Sequence, residues 1–440
     1  MTIVTVGKLI LQELQGHEDA YVQELCTALQ GHIQEIMGRC LDGVLKAEVD
    51  KWLGRDPYTR RRRSKRQKVK ERCSRCLSHQ RQNFRRNGCY RRDLNTCWGK
   101  IELNVPQVKC ACGGNVRLKH RAFRPGQRMW DDFAVEVRLD YGHGLSYRQI
   151  KAEWDKRLGG SVGLRTLNRR VLEAVPVGIA ARPLKQDEVP PVVRVDAIWI
   201  TVMFPTGETK QDRMGRMRPV KQAKKVAILA AQGVWPDTGR SVLLAWILAE
   251  GEDHNSWQIF LERLYEMGIT PENGLALLVA DGGSGFRSAY ESRYWMVPLQ
   301  RCVFHKLRNI AQAIHTPADL DRQTAHEFRT QLLRQAAQIW QAEDETEARL
   351  RYQAFCQQWQ AQQPKAIATL TRDFDQTLTF YAVQEQAAAQ GQVWPAYTLR
   401  TTSPLERMFR EFRRRYRNAI LFHSEDGALA VTAQIASRFS

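Results

Sequence analysis

Three carboxylates sit where a carboxylate needs a reason. Asp196 lies inside a β-rich run, Val192-Val193-Arg194-Val195-Asp196-Ala197-Ile198-Trp199-Ile200. Buried and unpaired there, it would cost several kcal/mol. Asp281 closes a second apolar run, Leu275 to Ala280, and is followed by Gly282, Gly283, Ser284 and Gly285. An acid at the C-terminal tip of a strand with a flexible turn behind it is a common functional position in α/β folds. Glu406 falls on a C-terminal helix for which Ser403 is a suitable cap and Pro404 suits the first turn. Leu405, Met408, Phe409, Phe412 and Tyr416 form the apolar stripe of that helix, and Glu406, Arg410, Arg413 and Arg417 share a neighbouring face. Alone, that face reads as a surface salt-bridge ladder; beside two strand-borne acids, it reads as a metal ligand facing a phosphate backbone. Carboxylates suit Mg²⁺ or Mn²⁺, and two such ions about 3.5–4 Å apart activate a water or a 3′-hydroxyl against a phosphodiester.

Cysteines make a second constellation. Cys73 and Cys76 form a CxxC pair, and Cys110 and Cys112 a CxC pair 34 residues further on. Two cysteine turns carried on strands can close a tetrahedral site around a structural Zn²⁺. Cys89, Cys97 and His79 lie close enough in sequence to substitute as ligands, and a set of free buried thiols is the bland alternative.

The charge is concentrated around these cysteines. The chain of 440 residues has a net charge of +20, and residues 51–100 hold 18 Lys and Arg against three acids. Arg60, Arg61, Arg62, Arg63, Lys65 and Arg66 form the densest run. A single-sign block of this density attracts a polyanion and releases its counterions, which points to nucleic acid; a solvated basic linker is the alternative. No run of 18 apolar residues exists, and the start lacks the pattern of a secretory signal. The expectation is a cytoplasmic protein with reduced thiols and no membrane partner.

The elements that must position these residues follow from periodicity. Residues 1–52 carry apolar positions at helical steps (Leu25, Leu29, Ile33, Ile36), and 125–180 return to a helical pattern. Within the latter, Ser146 caps a predicted helix to about Arg157, and Gly159 and Gly160 turn the chain. A second helix, Leu164 to Ala174, then exposes Arg165, Thr166, Asn168, Arg169 and Arg170. This is a helix-turn-helix candidate whose second helix has side chains suited to a major groove, or else a plain helical hairpin. Beyond a Pro-containing junction at 181–191, β-rich runs at 192–204, 226–231 and 241–248, a helix around 257–267 and a strand at 275–280 follow in order. That order fits an RNase H-like fold and other α/β folds. Residues 317–390 are rich in Gln and Ala and read as all helical.

At these residues the chain resembles the Mutator-type transposases of bacterial insertion sequences, in a zinc-ribbon-bearing branch. Four blocks carry the likeness in order: Trp257, Phe260 and Leu261 on the helix; Asp281-Gly282; Gln300-Arg301-Cys302-Val303-Phe304-His305; and Thr401-Thr402-Ser403-Pro404-Leu405-Glu406-Arg407. The family has Asn where Ser403 stands. The likeness covers about residues 192–430. It implies that Asp196, Asp281 and Glu406 are the Asp-Asp-Glu (DDE) catalytic triad holding Mg²⁺, with Glu411 as the rival third acid. It implies that Arg301 and His305, beside the core, bind DNA, and that Arg410, Arg413 and Arg417 contact DNA.

The expected architecture is a multidomain α+β and α/β chain. It comprises an N-terminal helical region (1–56), a basic linker (57–72), a zinc ribbon (73–120) and a helix-turn-helix module (121–182). An RNase H-like core follows in two parts (190–316 and 396–440), interrupted by a helical insertion (317–395). The expected activity is Mg²⁺-dependent cleavage and strand transfer on double-stranded DNA, at terminal repeats and target, by a homodimer or larger assembly. In a bacterial cell the chain would associate with the nucleoid. A catalytically silent, sequence-specific DNA-binding protein derived from a transposase is the alternative.

Overall fold

The computed structural model describes residues 20–57, 59, 67–124, 126–160, 162–173, 183–317, 321–419 and 421–439. Arg60 to Arg63, Lys65 and Arg66 lie outside them. The chain forms two compact units, Met1–Val171 and Leu172–Ser440.

The first unit opens with a helix, α1 (Ala20–Leu53), laid on an antiparallel hairpin of β1 (Phe84–Thr96) and β2 (Gly99–Cys110), with the short β3 (Asn115–Val116) beside β2. Strand β2 alternates as a half-buried strand must: Ile101, Leu103 and Val105 point inward while Lys100, Glu102 and Asn104 face out. Leu45, Val49 and Leu53, four residues apart on α1, cover that inner face with Leu94, Phe84 and Val108. Three helices follow: α2 (Asp131–Gly142), α3 (Tyr147–Leu158) and α4 (Leu164–Leu172). Ser146 caps α3 in a reciprocal capping box with Gln149, and Gly159 ends it in the left-handed conformation. Phe133 of α2 meets Trp154 of α3 edge to face at 4.6 Å, and Leu167 and Val171 bury the inner side of α4.

The second unit is built on a five-stranded mixed sheet in the order β6-β5-β4-β7-β8. Strands β4 (Val192–Gln211), β5 (Met217–Trp235) and β6 (Arg240–Ala249) run as an antiparallel meander. Strands β7 (Leu277–Ala280) and β8 (Leu299–Arg301) add in parallel on the other side of β4. Helix α5 (His254–Glu266) precedes β7, and α6 (Ser284–Arg293) connects β7 to β8. Both faces of the sheet are covered, so its strands read as apolar runs. Val193, Val195, Leu229 and Leu278 pack on Trp257, Phe260 and Leu261 of α5 and Phe286 of α6. Val192, Leu277 and Val279 point the other way. They share a core with Val303 and Ile310 of α7 (Val303–Ala313) and with the helices α8 (Arg322–Gln338), α9 (Glu345–Trp359), α10 (Pro364–Thr371) and α11 (Thr379–Ala389). The chain closes with α12 (Ala396–Leu399), α13 (Ser403–Ala419) and α14 (Glu425–Ala436). The apolar stripe Leu405, Met408, Phe409, Phe412 and Tyr416 is buried, and α13 lies against β4.

Two details depart from the sequence expectation. Helix α13 starts at Ser403 itself, and it is Thr401 Oγ1 that accepts the Ser403 N–H at 3.0 Å. Strands β4 and β5 run on to Gln211 and back from Met217, well beyond the apolar runs that announced them.

Candidate active site

Strand pairing brings the first two acids together. In the parallel pairing of β4 with β7, Val192 faces Leu277, Val193 faces Leu278 and Arg194 faces Val279. The paired stretch stops two residues short of Asp196, which lies further along β4, and of Asp281, which follows the last residue of β7, so continuing the same register would set the two acids at one level. Strand β8 continues the level: Ala280 faces Arg301, and the Cys302 N–H donates to the Ala280 carbonyl at 2.7 Å. The chain then turns into α7, which presents His305 in its first turn. Glu406 comes from the first turn of α13, tied to the same place because the Val303 N–H donates to the Arg400 carbonyl at 2.9 Å.

Donor atoms of Asp196, His305 and Glu406 all lie within 4.8 Å of one another. His305 Nε2 is 3.0 Å from Glu406 Oε1. Asp281 stands beside this trio; its Oδ1 accepts the Gly283 N–H at 2.8 Å. Burial pushes Asp196 up to about 7; the charges of Asp281 and Glu406 add to this, and His305 opposes it. Burial also works against charge on Glu406, but His305, Arg413 and Arg308 hold it below its usual value.

The supporting contacts are specific. Thr402 is buried, and both its N–H (3.2 Å) and its Oγ1 (3.3 Å) reach Cys302 Sγ. The same hydroxyl lies 3.4 Å from His305 Nδ1, so Thr402 and Cys302 fix the ring that Glu406 grips from the other side. Burial opposes a charged His305, yet its bonds to Cys302 and Glu406 raise its pKa well above the ordinary value. Arg301 is buried, and its Nη1 donates to the Asp281 carbonyl at 2.6 Å. Gly282 is obligatory at this turn: its φ is +74°, and a Cβ there would fall 1.2 Å from Arg301 Nη1.

The other residues singled out by sequence fall as follows. Arg410, Arg413 and Arg417 are exposed along α13. Glu411 pairs with Arg414 at 2.8 Å and Arg438 at 3.7 Å and is absent from the donor cluster. In the first unit, Arg165, Asn168 and Arg169 are exposed on α4 and Arg170 is half-buried. Glu252 was not anticipated. It accepts from Trp199 Nε1, and burial raises its pKa, with the Asp281 charge adding to the effect. Its only sequence signal is its place just before Asp253, which caps α5 by accepting the Ser256 N–H at 2.9 Å.

The four cysteines of the first unit also converge. Cys73 Sγ is 3.5 Å from Cys112 Sγ and Cys76 Sγ is 3.6 Å from Cys110 Sγ, with all four sulfurs within 4.8 Å. Tetrahedral thiolates at a Zn–S distance of about 2.3 Å would be spaced about 3.8 Å apart, which these separations match. The N–H groups of Cys76 and Arg75 point at Cys73 Sγ and draw its thiol down to about 6. Gly114 lets the turns close: a Cβ there would lie 2.4 Å from Cys73 Sγ. Cys89, Cys97 and His79 are not part of the cluster.

The family described as transposase, Mutator family, matches residues 11–438. The chain belongs to the Mutator family of transposases. It is 25% identical over 420 residues to the transposase for insertion sequence element ISRM5 of Rhizobium meliloti (strain 1021), covering 95% of this chain and 90% of the relative. The transposase for IS905 of Lactococcus lactis subsp. lactis (strain IL1403) is 24% identical, covering 88% of this chain and 83% of the relative. That for IS406 of Burkholderia multivorans (strain ATCC 17616 / 249) is 27% identical, covering 79% and 80%. Among solved structures, a chain of the Drosophila P element transposase strand transfer complex is similar at a TM-score of 0.42 and 11% identity, covering 70% of this chain and 91% of that one. As a Mutator transposase the protein is a DDE-type enzyme. No helix among its described residues is long and apolar enough to cross a membrane.

Proposed function

We propose that Asp196, Asp281 and Glu406 are the triad through which this insertion-sequence transposase cuts and joins double-stranded DNA. The observation that supports the proposal is the parallel β4–β7 pairing, which runs toward Asp196 within β4 and Asp281 just past the end of β7, together with Glu406, whose carboxylate lies with Asp196 and His305 within 4.8 Å. The sheet order, three antiparallel strands followed by two parallel ones, supports an RNase H-like core.

The donor set fits divalent metal. Asp196 and Glu406 converge with His305, and Asp281 is near enough for its charge to act on Asp196, which burial has already pushed up to about 7; a hard cation among these acids would remove that conflict. Mg²⁺ or Mn²⁺ held by Asp196, Asp281 and Glu406, two ions in the full site, would supply Lewis acidity toward the phosphodiester. The chain's own residues do the rest. His305 orients Glu406, Thr402 and Cys302 orient His305, and Arg301 with Gly282 holds the turn that aims Asp281. Arg410, Arg413 and Arg417 give α13 an exposed cationic face on which a phosphate backbone can lie.

In the first unit, Cys73, Cys76, Cys110 and Cys112 would hold Zn²⁺, which would fasten the turns that carry them. Helix α3, capped by Ser146, and α4 serve as a helix-turn-helix, with Arg165, Asn168, Arg169 and Arg170 toward the terminal repeats. Two element ends must meet in one complex, so the working form is a dimer or larger assembly.

The test compares the wild-type chain with Asp281→Ala on labelled DNA bearing the ends of the encoding element, in Mg²⁺. Cleavage and joining by the wild type that disappear in the variant support the proposal. Binding by both without cleavage, in Mg²⁺ or Mn²⁺, would make the chain a DNA-binding regulator.

A further inference from the structure

Strands β4 and β5 do more than carry Asp196. After Phe204 they leave the sheet as a two-stranded ribbon, with Thr209 facing Pro219, Lys210 facing Arg218 and Gln211 facing Met217. At about 3.3 Å per residue, the ribbon reaches on the order of 25 Å beyond the core. Residues 205–211, 213–219 and 221–225 are exposed on both faces. Such a ribbon gains little from burial and is marginal by itself.

Its tip is nevertheless built. Asp212 accepts the N–H groups of Met214 (2.9 Å) and Arg216 (3.0 Å) and the Arg218 Nε–H (2.6 Å). Gly215 turns the chain at φ +76°. At the base, Lys221 Nζ donates to the His423 carbonyl at 2.5 Å, and Phe422 pairs with the free edge of β4 at Thr201 and Met203. Residues 205–225 carry seven Lys and Arg against two acids, and one of those acids, Asp212, is occupied in the turn. Blocking edge-to-edge pairing is a known use of edge lysines, but either sign of charge would serve for that. A long, one-signed, double-sided ribbon has the charge for a polyanion. It also has the width of the two-stranded ribbons that the major groove of DNA admits.

We propose that the β4–β5 ribbon is an arm that grips duplex DNA, seated in its major groove, and continuous through β4 with the strand that carries Asp196. This rests on the transposase reading of the site and extends it to a second DNA contact on the catalytic unit. Lys210, Arg213 and Arg216 at the tip make the phosphate contacts, and none of them belongs to the catalytic cluster.

The test uses the full chain and a fluorescein-labelled duplex of mixed sequence, with affinity measured by anisotropy across a salt series. Each lost phosphate contact removes about 0.9 from the slope of log affinity against log salt. The triple variant Lys210→Gln, Arg213→Gln, Arg216→Gln should lose about 2–3 of that slope and roughly tenfold or more in affinity. The charge-conserving set Lys210→Arg, Arg213→Lys, Arg216→Lys should restore both, which separates charge from folding. An unchanged slope in the Gln variant overturns the arm. So does an unchanged affinity per chain with loss of a larger assembly in sedimentation, which would give the ribbon to a second copy of the chain. If the wild type cuts element ends normally and the Gln variant binds as well as it does, the arm alone falls. If the wild type neither binds nor cuts, the transposase reading falls and takes the arm with it.

Discussion

The molecule contains two donor clusters of similar compactness and opposite construction. In the first unit, four sulfurs approach one another from two short turns, and every donor is already in place. In the second unit, Asp196, His305 and Glu406 come from a strand, a helix and a distant helix; Asp281 stands beside them, and His305 occupies Glu406. A closed set of soft thiolates is suited to keeping one ion permanently and to holding a fold. An open set of hard carboxylates with a hydrogen-bonded tether is suited to exchanging ions as substrate arrives. Under the proposed function, the difference separates a fastening from a reaction centre.

The largest effects should fall cleanly on one side of that division. Asp196→Ala, Asp281→Ala or Glu406→Ala should each abolish cleavage and joining while leaving bound zinc and thermal unfolding of the first unit unchanged. Cys73→Ser should do the reverse at first. Zinc content by atomic absorption should fall, and the first unit should unfold at lower temperature, because metal binding there is folding free energy. Loss of zinc from Asp281→Ala, or full zinc retention in Cys73→Ser, would break the comparison.

The same contrast explains what could be read in advance. The cysteine site is local: CxxC and CxC spacing announced the turns, and β2 alternates plainly through Ile101, Leu103 and Val105. The strand position of Asp196 and the strand-tip position of Asp281 were legible because both sit against apolar runs buried on both faces of a covered sheet. The stripe Leu405 to Tyr416 marked the inner side of α13. The interplay of Thr402, Cys302 and His305 was not legible, since it joins residues about a hundred positions apart through hydrogen bonds that leave no periodicity. Glu252 was missed for the same reason. The ribbon beyond Phe204 was missed because exposed strands have no apolar alternation to announce them.

A smaller effect tests the electrostatics of the open site. Asp196 is pushed up to about 7, above its ordinary value of 3.8, so in the absence of divalent ions the folded chain holds this proton more tightly than the unfolded chain. The acid therefore costs nothing below about pH 4, and its penalty grows as pH rises toward 7 and persists above it. Thermal unfolding in Mg²⁺-free buffer should show stability falling over that window, with a shallower fall in Asp196→Asn. Added Mg²⁺ should recover stability near pH 8 in the wild type and less in the variant. Identical pH dependence in the two chains would mean that Asp196 is not the group under strain.

The finest distinction lies within the tether. His305 touches Glu406 directly at 3.0 Å, and residues that orient a metal-binding side chain typically cost about 10–100-fold in metal affinity or activity when removed. His305→Ala should fall in that range, expressed as a raised Mg²⁺ requirement at unchanged DNA affinity. Thr402 acts one step further out. Its hydroxyl contacts Cys302 Sγ at 3.3 Å and, at a long 3.4 Å, His305 Nδ1, while its N–H, which survives in Thr402→Val, keeps the 3.2 Å bond to Cys302 Sγ. One hydroxyl contact of this kind contributes about 0.5–1 kcal/mol, so Thr402→Val should cost only about two- to fivefold in rate. If Thr402→Val is as damaging as His305→Ala, the hydroxyl is setting the ring's orientation by itself, and Cys302 is then a packing residue rather than part of the tether. If Thr402→Val is silent while Cys302→Ala reproduces His305→Ala, the thiol alone holds the imidazole, and the buried Cys-His pair is the element that ties the helix carrying Glu406 to the strand end beside Asp281.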